Sequence, residues 1–284
     1  MKKRSTKEIK LQAKKALQGH VGTVLLGLLA VYGLNMLGTI LSTNLFSGTS
    51  PLDLVLSEVF MLVVSLIVGI ISAGFGYMLL NISRGKEFSL GDLGYFFKNQ
   101  PDRVIIAGFV LAVIQIVTAI PYYYVSFTTD PGLTVDSQIK WLSMTLGLLA
   151  VSTLLNFLIS LPFAMTYFLM ADDTELGGLQ ALKESARLMK GNLWRYVKLN
   201  LSFIPLLLLS VFTFYIALFW IMPYMEMSMV AFYRDLDGEL DSRLPGNEGF
   251  GSFHNWTNDS GDGYDTENND GYRNDSKDDY NSEA

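Results

Sequence analysis

Few residues in this 284-residue chain are of a type and spacing that could do chemistry. Cys is absent, which excludes disulfides, thiolate nucleophiles and cysteine-ligated metals. The two histidines, His20 and His254, stand far apart in the sequence, whereas a metal site needs several convergent ligands. Asp172, Asp173 and Glu175 are explained without catalysis as the cap of the helix that follows them, where negative charge is favourable. We therefore expect no enzyme activity, catalytic residue, cofactor or metal site.

The acidic C-terminal region contains a loose likeness to a calcium-binding loop. Asp259, Asp262 and Asp265 surround Gly261, but their spacing does not match an EF-hand and no flanking helices are predicted. The interpretation we prefer is a solvated acidic segment without a specific ion. The sequence also has no P-loop, G-x-S-x-G or H-E-x-x-H motif.

The polar residues noted in the apolar stretches are Asn35, Asn81, Gln115, Asn156 and Asn200. Asn35, Gln115 and Asn156 are the candidates for a position inside the bundle. At membrane depth such side chains usually face the helix bundle and hydrogen-bond between helices. The alternative interpretation is a substrate path, for which a cavity lined by all three residues would be the sign. Ion-coupled transporters generally use ionisable groups within the membrane, and these are nearly absent from the apolar segments.

The elements that carry these residues are predicted to be transmembrane helices. Half of the residues are hydrophobic and 17% are charged, against about 25% charged residues in soluble domains. Four apolar segments have the roughly 20-residue length that crosses a bilayer core. They are residues 21–42, 54–80, 104–124 and 141–170. Because lipid cannot satisfy backbone amides, each segment should be a helix, and the fold class is an all-α polytopic transmembrane bundle.

A fifth apolar region, residues 197–233, is too long for one span. As a single helix it would extend about 55 Å. We favour a hairpin that turns near residues 210–213, which gives six membrane helices. The alternative is one long tilted helix kinked at Pro205, which gives five.

The Lys and Arg residues indicate the orientation. Seven precede Val21, and the second and fourth connections between the spans carry four and five. The first connection has none and the third has only Lys140. This bias predicts a multi-pass protein of the bacterial cytoplasmic membrane with a cytoplasmic N-terminus. The basic residues flank apolar segments, so the expected partner is the lipid bilayer rather than nucleic acid.

Three cytoplasmic segments are predicted to be amphipathic helices at the membrane interface: residues 5–17, 88–99 and 179–196. The first has the capping-box pair Ser5 and Glu8. In the third, Leu179, Leu182, Ala186 and Met189 share a face, Gly191 breaks the run and Asn192 is predicted to cap the next helix. Its expected contacts with anionic lipid or an unidentified membrane protein are Lys183, Arg187, Lys190, Trp194 and Arg195.

The predicted organisation has three parts. Residues 1–20 form a basic amphipathic helix, residues 21–236 form the transmembrane domain, and residues 237–284 form a disordered acidic tail. The tail has 13 acidic and 3 basic residues, whereas the rest of the chain has 14 and 18. It is poor in aliphatic residues, so it cannot offset its ordering entropy by burying apolar surface.

A set of motifs in the last part of the apolar body carries a family resemblance. They are Leu182, Ser185, Met189-Lys190-Gly191-Asn192, Trp194-Arg195, Leu201-Ser202-Phe203-Ile204, Trp220, Pro223-Tyr224, Ala231-Phe232-Tyr233 and Leu236. Together they resemble the signature of an uncharacterised bacterial membrane family, domain of unknown function 975. The resemblance spans residues 5–236 and implies a six-helix membrane protein of unknown activity. That family usually has glycines at its last turn and residues 213–217 have none, so the five-helix alternative stays open.

The function that we expect is non-enzymatic, with a structural, partner-binding or lipid-binding role at the cytoplasmic surface. The alternative is a transporter or export helper for an apolar or amphipathic small molecule.

The number of spans fixes the side on which the acidic tail emerges. With six spans the tail is cytoplasmic, so protease added outside sealed right-side-out vesicles should leave it intact. Opening the vesicles with detergent provides the control, because the tail should then be cleaved. Cleavage in the sealed vesicles would instead establish five spans.

Overall fold

Helices form all the regular structure in the part of the chain that the structure, a computed structural model, describes, residues 3–47 and 50–242. They are α1 (Thr6–Leu17), α2 (Val21–Leu45), α3 (Pro51–Arg84), α4 (Tyr95–Lys98), α5 (Pro101–Thr128), α6 (Val135–Ser160), α7 (Thr166–Asp172), α8 (Gly178–Met189), α9 (Leu193–Leu201), α10 (Ile204–Phe212), α11 (Leu218–Leu236) and α12 (Glu239–Ser242). Short 3₁₀ helices occupy Leu90–Gly94 and Leu161–Phe163. The predicted all-α fold is confirmed.

Five stretches of helix are long and apolar enough to cross a membrane. They are Val21–Leu45, Leu52–Arg84, Pro101–Ser126, Val135–Asp172 and Leu193–Phe212. Each of the four apolar segments predicted from the sequence lies within one of the first four. The polytopic membrane character is therefore confirmed.

Small residues bring α2 and α3 together as an antiparallel pair. A Cβ atom on Gly27 would lie 2.6 Å from the Phe75 ring, and one on Gly38 would lie 2.5 Å from Val64. Farther along, the hydroxyls of Ser42 and Ser57 form a hydrogen bond of 2.8 Å. Glycine and serine at these positions permit the close backbone approach that packs helices in lipid.

The fourth predicted segment is interrupted rather than continuous. The 3₁₀ helix that contains Pro162 separates α6 from α7, because proline has no N–H for the helical ladder. Ser185 of α8 compensates for the break: its hydroxyl donates to Pro162 O at 2.8 Å and accepts from Met165 N at 3.1 Å. Ser185 is fully buried, so one side chain from the next helix satisfies the broken backbone.

The fifth apolar region is a hairpin, as predicted, although its turn lies later in the sequence. The chain reverses over residues 213–217, where Phe214 and Tyr215 both have positive φ. The arms then run antiparallel: the Tyr196 and Phe232 ring centroids lie 5.6 Å apart, and those of Phe203 and Tyr224 lie 5.3 Å apart. The returning arm, α11, has 19 residues, which corresponds to about 28 Å.

The first two segments predicted as amphipathic bury part of their apolar faces on the bundle itself. Helix α1 buries Ile9, Ala13 and Leu17 and contacts α11 and α3. The Leu90–Gly94 3₁₀ helix buries Leu93 against α3, and α4 buries Phe96. Leu90 and Phe97 stay exposed, so protein covers the second of these apolar faces only in part.

Helix α8 packs so closely on α5 that its buried face differs from the predicted one. A Cβ atom on Gly178 would lie 2.1 Å from the carbonyl oxygen of Arg103, which only glycine allows. Leu182 and Met189 are buried as predicted, but the small residues Ala181 and Ser185 complete the face. Leu179 is instead 62% exposed.

The predicted acidic tail begins inside the folded body. Asp237 to Asp241 lie at the end of α11 and in α12, where Arg4 reaches Asp241 and Leu240. The predicted disorder of residues 243–284 falls outside the described residues.

Candidate functional site

Charged side chains from distant parts of the sequence meet where α3, α7 and α11 end and α9 begins. This ion-pair network consists of two clusters that adjoin at neighbouring residues of α11. The first is Arg4, Arg195, Asp235 and Asp241, and the second is Arg84, Asp172, Arg234 and Glu239. The network joins the N-terminal segment to helices that lie more than 190 positions later. Its members belong to six different parts of the chain, so it fixes their relative positions.

Asp235 is the centre of one half of the network. Its side chain is only 1% exposed, and it accepts from Arg195 at 2.5 Å and from Arg4 at 3.2 Å. Arg195 also donates to the carbonyl oxygen of Arg4 at 2.9 Å. Two guanidinium groups thus offset the cost of burying one carboxylate.

Arg84, the last residue of α3, is the centre of the other half. Its guanidinium forms a two-pronged pair with Asp172 of α7, and donates to Glu239 of α12 at 2.9 Å. Tyr233 donates its hydroxyl to Asp172 at 2.7 Å, and Arg234 donates to Glu239 at 2.8 Å. Such paired geometry adds orientation as well as attraction.

Two acids at this end of the bundle have pKa values that depart in opposite directions. Burial, together with the nearby carboxylates of Asp172 and Glu239, raises the pKa of Asp237 to about 6. Burial also opposes ionisation of Glu239, but hydrogen bonds from Arg234 and Arg84 outweigh it and hold its pKa below the usual value. The network therefore keeps Glu239 ionised and makes Asp237 easier to protonate.

The predicted capping role of the acids after α7 is wrong. Asp172 pairs with Arg84, and the Asp173 carboxylate accepts from the backbone N–H of Glu175 at 2.8 Å. Helix α8 begins only at Gly178, so the acids are too far ahead to cap it. The buried Arg103 supports the loop between α7 and α8 by donating to the carbonyl oxygen of Asp173 at 2.8 Å.

Four of the five predicted surface residues are exposed, and the fifth, Arg195, is partly buried. Lys183, Arg187 and Lys190 lie on the outward face of α8, and Trp194 is 63% exposed on α9. Arg187 approaches Glu184 at 3.6 Å. Arg195 instead holds Asp235, so its charge serves the fold.

One more base, absent from the prediction, joins this exposed set. The Lys198 ammonium lies 5.5 Å from the centre of the Trp194 ring, on the next turn of α9. We call Lys183, Arg187, Lys190, Trp194 and Lys198 the basic surface.

The break between α8 and α9 is only partly as predicted. Gly191 has φ of 77°, the left-handed conformation expected at a helix end. Asn192 stands at the N-cap position but does not cap α9 with its side chain. Its amide donates back to the carbonyl oxygen of Leu188 at 3.2 Å and accepts from Arg195 at 3.1 Å. Because the side-chain oxygen of Asn192 accepts from Arg195 and its amide nitrogen donates to Leu188, the side chain does not cap the N-terminus of α9.

The three predicted interior polar residues do not line one cavity. Asn156 donates to the Thr118 hydroxyl at 3.2 Å and joins α6 to α5. Gln115 is exposed on α5, away from the cavities found among the described residues. Asn35 lines a cavity of about 610 Å³ between α2, α3, α7, α9 and α11. The arrangement that would have marked a substrate path through all three residues is therefore not present in the described part of the chain.

Glu226 of α11 lines the same cavity and was missed in the sequence. Its signal was a single acid in the apolar run Met225-Glu226-Met227, within the fifth region. An ionisable residue in such a run is a functional candidate by default.

The helices and their apolar surfaces define a polytopic α-helical membrane protein. The chain belongs to the family described as protein of unknown function (DUF975), whose model matches residues 1–239. This match confirms the resemblance recognised from the motifs and includes the first three residues of the predicted tail, 237–239. Neither a curated protein nor a solved structure matches the chain.

Asp235 should be the most sensitive residue of the ion-pair network. Replacing it by Asn leaves Arg4 and Arg195 facing each other without the buried carboxylate, which should cost about 3 kcal/mol. The measurement is the midpoint of thermal unfolding of the purified protein in mild detergent. The matched control is Glu184→Gln in the exposed pair with Arg187, for which at most about 1 kcal/mol is expected. Equal shifts for the two variants would contradict a central role for Asp235.

Proposed function

We propose that this chain is a non-enzymatic, multi-pass protein of the bacterial cytoplasmic membrane that binds anionic lipid headgroups at its cytoplasmic surface. The observation that carries the proposal is the basic surface on α8 and α9, where Lys183, Arg187, Lys190 and Lys198 are exposed and the Lys198 ammonium lies 5.5 Å from the Trp194 ring centre. The same non-enzymatic hypothesis has two other versions. In one the basic surface binds a protein partner with an acidic surface, and in the other the role is purely structural.

The mixture of side chains on this surface fits a headgroup layer. Exposed Leu179, Trp194 and Leu201 alternate with lysine and arginine side chains along two consecutive helices. An indole is stable at the membrane–water boundary, where its ring contacts lipid and its N–H contacts water. Lysine and arginine stems lie along apolar surface while their charged ends reach phosphate groups. Each such charge near an anionic surface contributes about 1 kcal/mol.

The position of the basic surface also follows from its attachment to the bundle. Helix α8 is held rigidly, because Gly178 lies against α5 and Ser185 bonds the break between α6 and α7. Helix α9 is held by Arg195 through Asp235. A surface on rigid helices presents its charges in a fixed pattern, which favours recognition over diffuse attraction.

The proposed orientation has the N-terminus, the basic surface and the ion-pair network in the cytoplasm. It is supported by the bias of Lys and Arg toward the N-terminal segment and the second and fourth connections. With α11 as a sixth span, the acidic tail is also cytoplasmic.

A second candidate function is transport or export of an apolar or amphipathic small molecule. The observation that favours it is the cavity that Asn35 and Glu226 line among apolar side chains. A cavity of this size suits a small molecule. We rank it second because Gln115 and Asn156 do not contribute to that cavity.

Neutralising the basic surface should weaken the preference for anionic lipid. The variant changes Lys183, Arg187, Lys190 and Lys198 to Gln and leaves Arg195, which holds Asp235. Native mass spectrometry of the purified protein would count bound phosphatidylglycerol against phosphatidylcholine. We expect the preference to fall at least about tenfold, because four charges near the headgroups are lost.

The control keeps the charge and changes the side chains, with Lys183, Lys190 and Lys198 replaced by Arg. It should retain the preference for phosphatidylglycerol. If the neutralised variant still selects phosphatidylglycerol as wild type does, the basic surface is not the lipid site.

A further inference from the structure

The cavity of about 610 Å³ has a composition that selects its ligand. Five helices form its walls, namely α2, α3, α7, α9 and α11, and most of the lining side chains are apolar. Its volume falls within the range of about 300–1,000 Å³ that small-molecule sites occupy. Tyr32 and Asn35, on its α2 wall, are exposed, so the cavity is accessible from outside the bundle.

Glu226 carries the one carboxyl group among the described residues that line this cavity. Its carboxylate forms neither a hydrogen bond nor an ion pair within the described part of the chain, unlike Asp235 nine residues later, which two arginines hold. It stands ten residues before the end of α11, which corresponds to about 15 Å along the helix. A carboxylate in an apolar environment without a partner is costly, so this position calls for a ligand that supplies one.

The rest of the lining determines the charge of that ligand. No Lys, Arg or His is found among the described lining residues, so an anion would meet only the carboxylate and apolar or neutral polar groups. Tyr32, Phe75, Tyr167, Phe168 and Tyr196 add aromatic rings to the walls. Aromatic faces attract organic cations, most strongly where water is excluded. The carboxylate of Glu226 and the aromatic rings therefore both favour a positively charged ligand.

The apolar part of the wall determines the body of the ligand. Met225 and Met229 flank Glu226, and Leu28 and Leu79 approach from α2 and α3. Methionine side chains are flexible and polarisable, so they adapt to apolar groups of different shape. A ligand with a bulky apolar body and one positive charge would satisfy the whole lining.

We propose that this cavity binds a lipophilic organic cation, with the positive charge at Glu226 and the apolar body among Leu28, Phe75, Met225 and Met229. The site is separate from the basic surface and does not depend on it. It gives the chain a second binding function, toward molecules of the charge opposite to the anionic headgroups.

Tetraphenylphosphonium and tetraphenylborate provide a direct test, because the two ions have nearly the same shape and opposite charge. Binding of each would be measured by equilibrium dialysis with the purified full-length protein in mild detergent. Saturable binding of the phosphonium that exceeds binding of the borate is the expected result. No saturable phosphonium binding, or equal binding of the two ions, would overturn the proposal.

Variants then assign the binding to Glu226. Glu226→Gln keeps the size of the side chain, removes its charge and should weaken phosphonium binding at least about tenfold. Glu226→Asp keeps the charge and should retain a substantial part of the binding. The control Glu175→Gln removes an exposed acid outside the cavity and should bind as wild type does.

A second variant tests the cavity without changing its charge. Val31→Trp fills part of the space and should weaken phosphonium binding while Glu226 is intact. Each variant is first checked for an unchanged elution volume and unfolding midpoint. Wild-type affinity in both folded Glu226→Gln and folded Val31→Trp would place the bound cation elsewhere and refute the site.

Discussion

The buried carboxylate of Asp235 is the constraint on which the arrangement of this bundle depends. A carboxylate that is 1% exposed is stable only with charged partners, and it has Arg195 at 2.5 Å and Arg4 at 3.2 Å. One partner comes from the N-terminal segment and the other from the first arm of the hairpin, while Asp235 lies on the second arm. The need to pair the Asp235 carboxylate therefore holds the N-terminal segment against the C-terminal hairpin. The adjacent cluster around Arg84 extends the connection to α3, α7 and α12.

Attachment of the amphipathic segments to the protein follows from this constraint. With Arg4 fixed at Asp235, α1 lies along α11, and its buried face of Ile9, Ala13 and Leu17 meets protein rather than lipid. Lys10 then donates to the carbonyl oxygen of Ser202 at 2.9 Å, between the hairpin arms, and burial there lowers its pKa. Lys7, Lys14 and Lys15 of α1 stay exposed, as do the charges on the outer faces of α8 and α9. The proposed lipid-binding surface thus consists of side chains that the internal packing leaves exposed.

Sequence reasoning predicted the parts of this structure that local physics determines. Membrane-length apolar runs gave four spans, the Ser5–Glu8 spacing gave the capping box that α1 forms, and Gly191 gave a left-handed helix end. The pattern of a helix also identifies its apolar face, but not what covers it, so the packing of α1 on α11 and α3 was not predicted. Arg195 was assigned to the surface because its partner Asp235 is 40 positions away. The cavity around Glu226 depends on five helices, and no local spacing encodes it.

Hydrogen exchange of the protein in lipid discs, read by mass spectrometry, tests most directly whether Asp235 fastens the N-terminal helix to the hairpin. The comparison is between wild type and Asp235→Asn, followed for the backbone amides of α1, α9 and, as an internal reference, α5. The account predicts slow exchange in all three helices of wild type and faster exchange in α1 and α9 of the variant, with α5 unchanged. Exchange in α1 that is indifferent to the loss of Asp235 would contradict it, because α1 would then be held by lipid or by contacts independent of the carboxylate.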